Sequence, residues 1–292
     1  MKQLLILSGK GGTGKTTVAG AFVKLIGTKT YADCDVDAPN LHLILKPKAE
    51  PQTEEFFGLP IAYINSERCK KCGLCLANCR FKAITHDAIA VSVNQYACEG
   101  CGVCAAICPT KAITLNPDSA GKMMLYKKND SVFSTAQLHT GKGTSGMLVS
   151  EVKKRMQNAA APDTDIAVID GSPGIGCPVI ASLSGVDIAL IVTEPSVSGI
   201  SDMERIIKTA RHFSVKVSVC VNKHDTNIEN TQKIKQYCKK ENIAFAGVIP
   251  YDPQAVKSIN SGANITDVDC PSGHAVREIF RNTIRIMNGY ED

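Results

Sequence analysis

No apolar run in this 292-residue sequence approaches the roughly 18 residues that a membrane-spanning helix needs. That excludes a helical transmembrane span. The opening Met1–Leu7 stretch leads straight into glycines, with no small-residue cleavage site, so a cytoplasmic protein is expected. Disorder has no compositional footing, because 44% of residues are hydrophobic, enough to pack one large or two smaller domains. A disulfide framework is not expected either. The thirteen cysteines of an intracellular-looking chain point to metal first, since the cytosol keeps thiols reduced.

The cysteine positions carry that argument further. Residues 69–84 read CKKCGLCLANCRFKAI and residues 98–113 read CEGCGVCAAICPTKAI, an internal repeat at an offset of 29 with nine of sixteen positions identical. Each copy has the spacing C-x-x-C-x-x-C-x-x-x-C. Three closely spaced thiolates can cap one 4Fe-4S cube, while the fourth cysteine ligates the other cluster. By that rule Cys69, Cys72, Cys75 and Cys108 hold one cluster, and Cys79, Cys98, Cys101 and Cys104 hold the other. Two structural zinc knuckles are the competing reading of C-x-x-C pairs, and the duplicated four-cysteine spacing argues against them. The pattern resembles the bacterial two-cluster ferredoxins over about residues 60–118. One position departs from it: Cys108 is followed by Pro109, but Cys79 by Arg80, which lacks proline's fixed backbone angle. The formal net charge of +5 counts cysteine as neutral. Two clusters with their thiolates, each about −2, would leave roughly +1, which removes most of the electrostatic case for nucleic acid.

The second signal opens the chain. An apolar strand at 3–8 runs into Gly9-Lys10-Gly11-Gly12-Thr13-Gly14-Lys15-Thr16-Thr17 and then a helical stretch to about Ile26. The glycines let backbone amides close around phosphates, Lys15 can reach the terminal phosphates, and Thr16 can offer its hydroxyl to Mg²⁺. The motif KGGTGKT, with its second lysine Lys10, resembles the deviant Walker A ATPases: MinD and ParA, nitrogenase iron protein and the Mrp-type cluster carriers. That resemblance implies ATP and ADP as ligands and a homodimer when ATP is bound, in which Lys10 reaches the partner's phosphates. Asp33-Cys34-Asp35 looks like switch I, with Asp35 as the water-positioning carboxylate. Asp170-Gly171-Ser172-Pro173-Gly174 looks like switch II, with Asp170 on Mg²⁺ through water and Gly174 free to swing as the phosphate leaves. Asn222 and Pro250, each ending a strand, match the family's purine-contacting segments, although Asn222-Lys223-His224-Asp225 also spells the N-K-x-D of guanine readers. The catalytic set is thus Lys10, Lys15 and Asp35; Gly11, Gly12, Thr13, Gly14, Thr16 and Thr17 complete the phosphate cradle.

These segments predict an α/β P-loop NTPase, a doubly wound and mostly parallel sheet built from residues 1–60 and 119–292. An inserted α+β dicluster ferredoxin domain takes 61–118. Cys34, Cys220, Cys238 and Cys270 read as core. Cys177, seven residues past Asp170, sits where nitrogenase iron protein has a cluster ligand, but no second ligand stands near Gly141–Gly146, so a buried thiol is expected. The closing helix, about 273–288, sets Ile279, Phe280 and Ile286 among arginines, a stripe that serves a core or a membrane face. Three functions fit: ATP-gated electron transfer to a partner protein, iron–sulfur or metal cofactor maturation, and a redox-sensing positioning ATPase. The absence of a C-x-x-C near the chain end, where Mrp-type carriers have one, favours the first.

Overall fold

The computed structural model describes residues 1–87 and 90–289. The strands are β1 Lys2–Ser8, β2 Thr30–Asp33, β3 Pro51–Phe57, β4 Ile61–Ile64, β5 Ile84–His86, β6 Val91–Val93, β7 Ile113–Asn116, β8 Ser119–Lys128, β9 Ser131–Leu138, β10 Ile166–Pro173, β11 Ile188–Thr193, β12 Lys216–Asn222 and β13 Ala244–Ile249. The helices are α1 Lys15–Ile26, α2 Leu41–Leu45, α3 Leu74–Asn78, α4 Val103–Ala106, α5 Ser145–Ala159, α6 Cys177–Leu183, α7 Val197–His212, α8 Ile228–Lys240, α9 Pro253–Asn260 and α10 Pro271–Met287. A nine-stranded sheet has the order β13-β12-β11-β1-β10-β2-β9-β8-β3, and its pairs from β13 through β9 are parallel. Beyond β9 the alternation of strand and helix fails. β8 and β9 are joined by only Asn129 and Asp130, too short a link for a parallel crossover, so they form a hairpin.

Two compact units divide the chain: one is Met1–Thr53, Met123–Gln137 and Ser145–Asp292, the other Glu54–Lys122 with Leu138–Thr144. In the first, β1 is buried from Gln3 to Ser8 and β11 along its whole length, as expected of strands covered on both faces. Helix α1 packs Val18, Phe22 and Val23 into this core, and α10 adds Val276 and Ile279. Phe280 meets Phe22 edge-on with ring centroids 5.3 Å apart, and Ile286 packs on the same cluster. The apolar stripe of the last helix is therefore spent on the core. No helix among the described residues is long and apolar enough to cross a membrane.

One buried cation fixes the layer beside β10. Lys153 on α5 is 4% exposed, and its ammonium donates to the carbonyls of Ser182 at 2.7 Å, Ser184 at 2.5 Å and Ala181 at 3.3 Å, the unpaired end of α6. Burial pushes its pKa down, against the opposing pull of Cys34. Replacing Lys153 with Met keeps the bulk and strips three carbonyls of their donor, so about 3 kcal/mol of stability should be lost. Chemical denaturation measures this; a loss under about 1 kcal/mol would mean that water substitutes for the ammonium.

In the second unit β4 pairs antiparallel with β7 and β5 with β6. The sequence repeat is a structural repeat at the same offset. Lys71 and Gly100 have φ of 54° and 60°, Gly73 and Gly102 both 78°, and Lys82 and Lys111 51° and 52°. The copies interlock: the Asn65 amide donates to Ala112 O at 2.8 Å, and its counterpart, the Asn94 amide, donates to Ala83 O at 2.7 Å. Each copy thus pairs its beginning with the other's end.

Candidate functional site

The nucleotide candidate is a cavity of about 600 Å³ whose wall includes Lys10 through Val18, Asp35, Asn222 and Pro250. Of the predicted P-loop, Lys10 through Thr17 are on that wall. Gly12 and Gly14 carry φ of 78° and 90°, left-handed values that let the loop curl its amides toward α1. Asn222 supports the loop, donating its side-chain amide to Thr13 O at 2.8 Å. Pro250 accepts from Ser272 Oγ at 3.0 Å. Asp225, the last residue of N-K-x-D, accepts the Tyr251 amide at 2.8 Å and is not on the cavity wall. Ala255, Ile265 and Val276 supply an apolar wall suited to a base; nothing in their local sequence marks them, because the fold of the last fifty residues brings them there.

Beneath the loop lies a charge cluster. Lys15 is 5% exposed, with its ammonium 2.7 Å from Asp170 and 3.7 Å from Asp35. Burial alone would lower its pKa, but Asp170, Asp35 and Asp33 together raise it above the ordinary lysine value. The carboxyl of Asp35 is pushed up by burial, against the pull of Lys15. Asp33, which no sequence motif singles out, builds the turn: fully buried, it accepts the amides of Asp35 at 3.0 Å and of Asn40 and Leu41 at 2.9 Å. Burial and then the charge of Asp170 push its carboxyl up to about 7. The two switch-like segments are tied to each other and to the P-loop strand, through Cys34 N–H to Asp170 O at 2.7 Å and Gly174 N–H to Ser8 O at 2.9 Å. Gly174 has φ 99°. Buried Asp170 Oδ2 has no hydrogen-bond partner among the described residues, the kind of atom that a hydrated Mg²⁺ would satisfy.

Lys10 does not reach the other P-loop groups. Its ammonium lies 3.2 Å from Glu194, which also holds Lys223 at 2.7 Å. Cys177 corrects an expectation: it is exposed at the start of α6, not buried, and Gly146 packs closely against its Cβ and backbone. Cys34, Cys220, Cys238 and Cys270 are buried.

In the second unit Cys69, Cys72, Cys75 and Cys108 line one recess, together with Pro109. Cys108, 33 residues from Cys75, arrives there through the interlocked backbone pairing. Burial and then the charges of Cys69 and Cys72 raise the Cys75 thiol, and burial with Cys98 and Cys101 does the same to Cys104. Cys79 and Cys108 hold matched backbone donors, Ala83 N–H at 3.4 Å and Ala112 N–H at 3.3 Å. Arg80 in place of proline leaves that geometry intact. Among the described residues no three His, Cys, Asp or Glu side chains converge on a site for a single metal ion.

Fold and loop together define a P-loop ATPase with a parallel α/β sheet. The chain belongs to the CobQ/CobB/MinD/ParA nucleotide-binding domain family, whose model matches residues 4–265. An uncharacterized protein of Methanocaldococcus jannaschii, MJ0578, is 31% identical over 285 residues, covering 95% of each chain. The iron-sulfur cluster carrier protein of that organism is 21% identical across 99% of this chain and 86% of its own. Among solved structures, the septum site-determining protein MinD of Pyrococcus horikoshii complexed with Mg-ADP matches with a TM-score of 0.59 at 15% identity, over 100% and 99% of the two chains.

Proposed function

We propose that the chain is a nucleotide-gated iron–sulfur ATPase that passes electrons to a partner protein. The observation that carries this reading is the recess lined by Cys69, Cys72, Cys75 and Cys108, a set that brings together three cysteines of one repeat and one of the other. Four cysteines in one recess, with the Ala112 N–H on Cys108 Sγ at 3.3 Å, suit a 4Fe-4S cluster, and the duplicated four-cysteine spacing favours it over zinc. By the same repeat rule Cys79, Cys98, Cys101 and Cys104 would hold a second. When bound, the clusters would supply one-electron carriers. The rest of the function belongs to the chain's own groups. Gly11–Thr17 would cradle the phosphates of ATP, Lys15 would neutralise their charge, Thr16 and Asp170 would hold Mg²⁺, and Asp35 would orient the attacking water. Loss of the terminal phosphate would be felt at Gly174, bonded to Ser8 beside the P-loop.

A cofactor-maturation ATPase is the second reading, favoured by the 21% identity to an iron-sulfur cluster carrier protein over 99% of this chain and 86% of that one. The two part company in an anaerobic redox titration followed by EPR, with protein alone, with ADP, and with a nonhydrolysable ATP analogue. Electron transfer predicts two reducible centres whose potentials or line shapes move with nucleotide. Two centres indifferent to nucleotide would favour maturation.

A further inference from the structure

We propose that Glu194 is a positioning residue that restrains Lys10 in the free chain and thereby sets how readily the ATP-loaded chain pairs with a second copy. The inference rests on the reading of Lys10 as the lysine that acts on the partner's phosphates. Glu194 follows β11 directly and precedes α7, whose N-cap, Ser196, accepts the Gly199 amide at 3.0 Å. Its two carboxylate oxygens are divided. One is 3.2 Å from Lys10 Nζ, the other 2.7 Å from Lys223 Nζ, and Ser196 Oγ adds a weaker contact to Lys10 at 3.4 Å.

Both lysines are on the wall of the nucleotide cavity, and Glu194 is not. Its side chain is 17% exposed, against 37% for each lysine. Although burial opposes ionisation, the bonds from Lys223 and Lys10 hold the carboxyl below its ordinary range, so it is charged at neutral pH. The second arm matters most. A carboxylate anchored by Lys223 cannot travel with Lys10, so an ammonium that turns toward another chain's phosphates must first break this pair. If only the turn of Lys10 toward a second copy breaks the pair, the cost falls on dimer affinity and not on ADP binding within one chain. A partly exposed pair of this kind would weaken dimerisation about two- to tenfold.

Glu194→Gln keeps the shape and an acceptor for Lys223 while removing the charge. Sedimentation velocity with a nonhydrolysable ATP analogue should give a dimer dissociation constant two- to tenfold lower than wild type, with ADP affinity unchanged. Glu194→Ala, as a second variant, should move dimerisation the same way. If wild type and Lys10→Ala dimerise equally, or neither does, the premise about Lys10 fails and the proposal goes with it. If dimerisation depends on Lys10 but both Glu194 variants pair no better or worse than wild type, the premise stands and the restraint is refuted. Equal changes in ADP and dimer affinity would show a structural role and likewise overturn it.

Discussion

Lys15→Ala should abolish ATP binding, by more than about a hundredfold, in titrations with a fluorescent nucleotide analogue. Two losses combine. The proposed phosphate-binding cation is removed, and the pocket loses the counter-charge for its acids. Asp33 and Asp170 are both fully buried, and Asp35 is within 3.7 Å of the Lys15 ammonium. Stripped of Lys15, that cluster is a set of buried carboxylates facing one another, and removing one partner of a buried pair costs about 3–5 kcal/mol. The variant should therefore also be less stable than wild type. Adding Asp170→Asn separates the effects: Lys15→Ala with Asp170→Asn should recover much of the stability and none of the binding. Retained ATP binding in a folded Lys15→Ala chain would remove Lys15 from its assigned role.

Cys98→Ser should lower iron content by about half or more, measured on anaerobically prepared protein, because one of the two proposed four-iron clusters would lose a ligand. The sharper form of this test concerns the exchange between copies. Cys108 shares a recess with Cys69, Cys72 and Cys75, so Cys108→Ser should alter the same EPR signal as Cys69→Ser. Were the ligands taken from each repeat in order, Cys79→Ser would pair with Cys69→Ser instead. Unchanged iron in Cys98→Ser would break the ligand assignment altogether.

Much of this molecule is readable in one dimension because its strongest features are local. The P-loop is nine consecutive residues between a strand and a helix, and the cysteine repeat is a fixed spacing repeated at a fixed offset. What escaped the sequence depends on contacts between distant residues. Glu194 meets Lys10 only because β11 lies next to β1 in the sheet. Lys153 reads as one more polar residue on a surface helix until α6 ends against it. Asp33 looks like a spare acid in an acidic stretch, yet it accepts three backbone amides. Cys177 was expected to be buried, since free cysteines usually are. It is exposed at the start of α6, against Gly146, which stands 31 residues earlier in the chain.

The short segment Leu138–Thr144, which the sequence assigned to the ATPase fold, belongs instead with Glu54–Lys122. Lys142 is ion-paired with Asp118 and lies 6.0 Å from the Tyr96 ring centroid; the His139 amide donates to Ala120 O at 2.8 Å. The cysteine-rich unit is therefore not a cassette that can be cut out between two points. Deleting 61–118 would leave Lys142 without its counter-ion and Gly141 without the ring it packs on. Anyone moving this unit to another scaffold must carry two pieces of chain, and a lineage that acquired or lost it in a single step would have had to remake the loop before α5 as well.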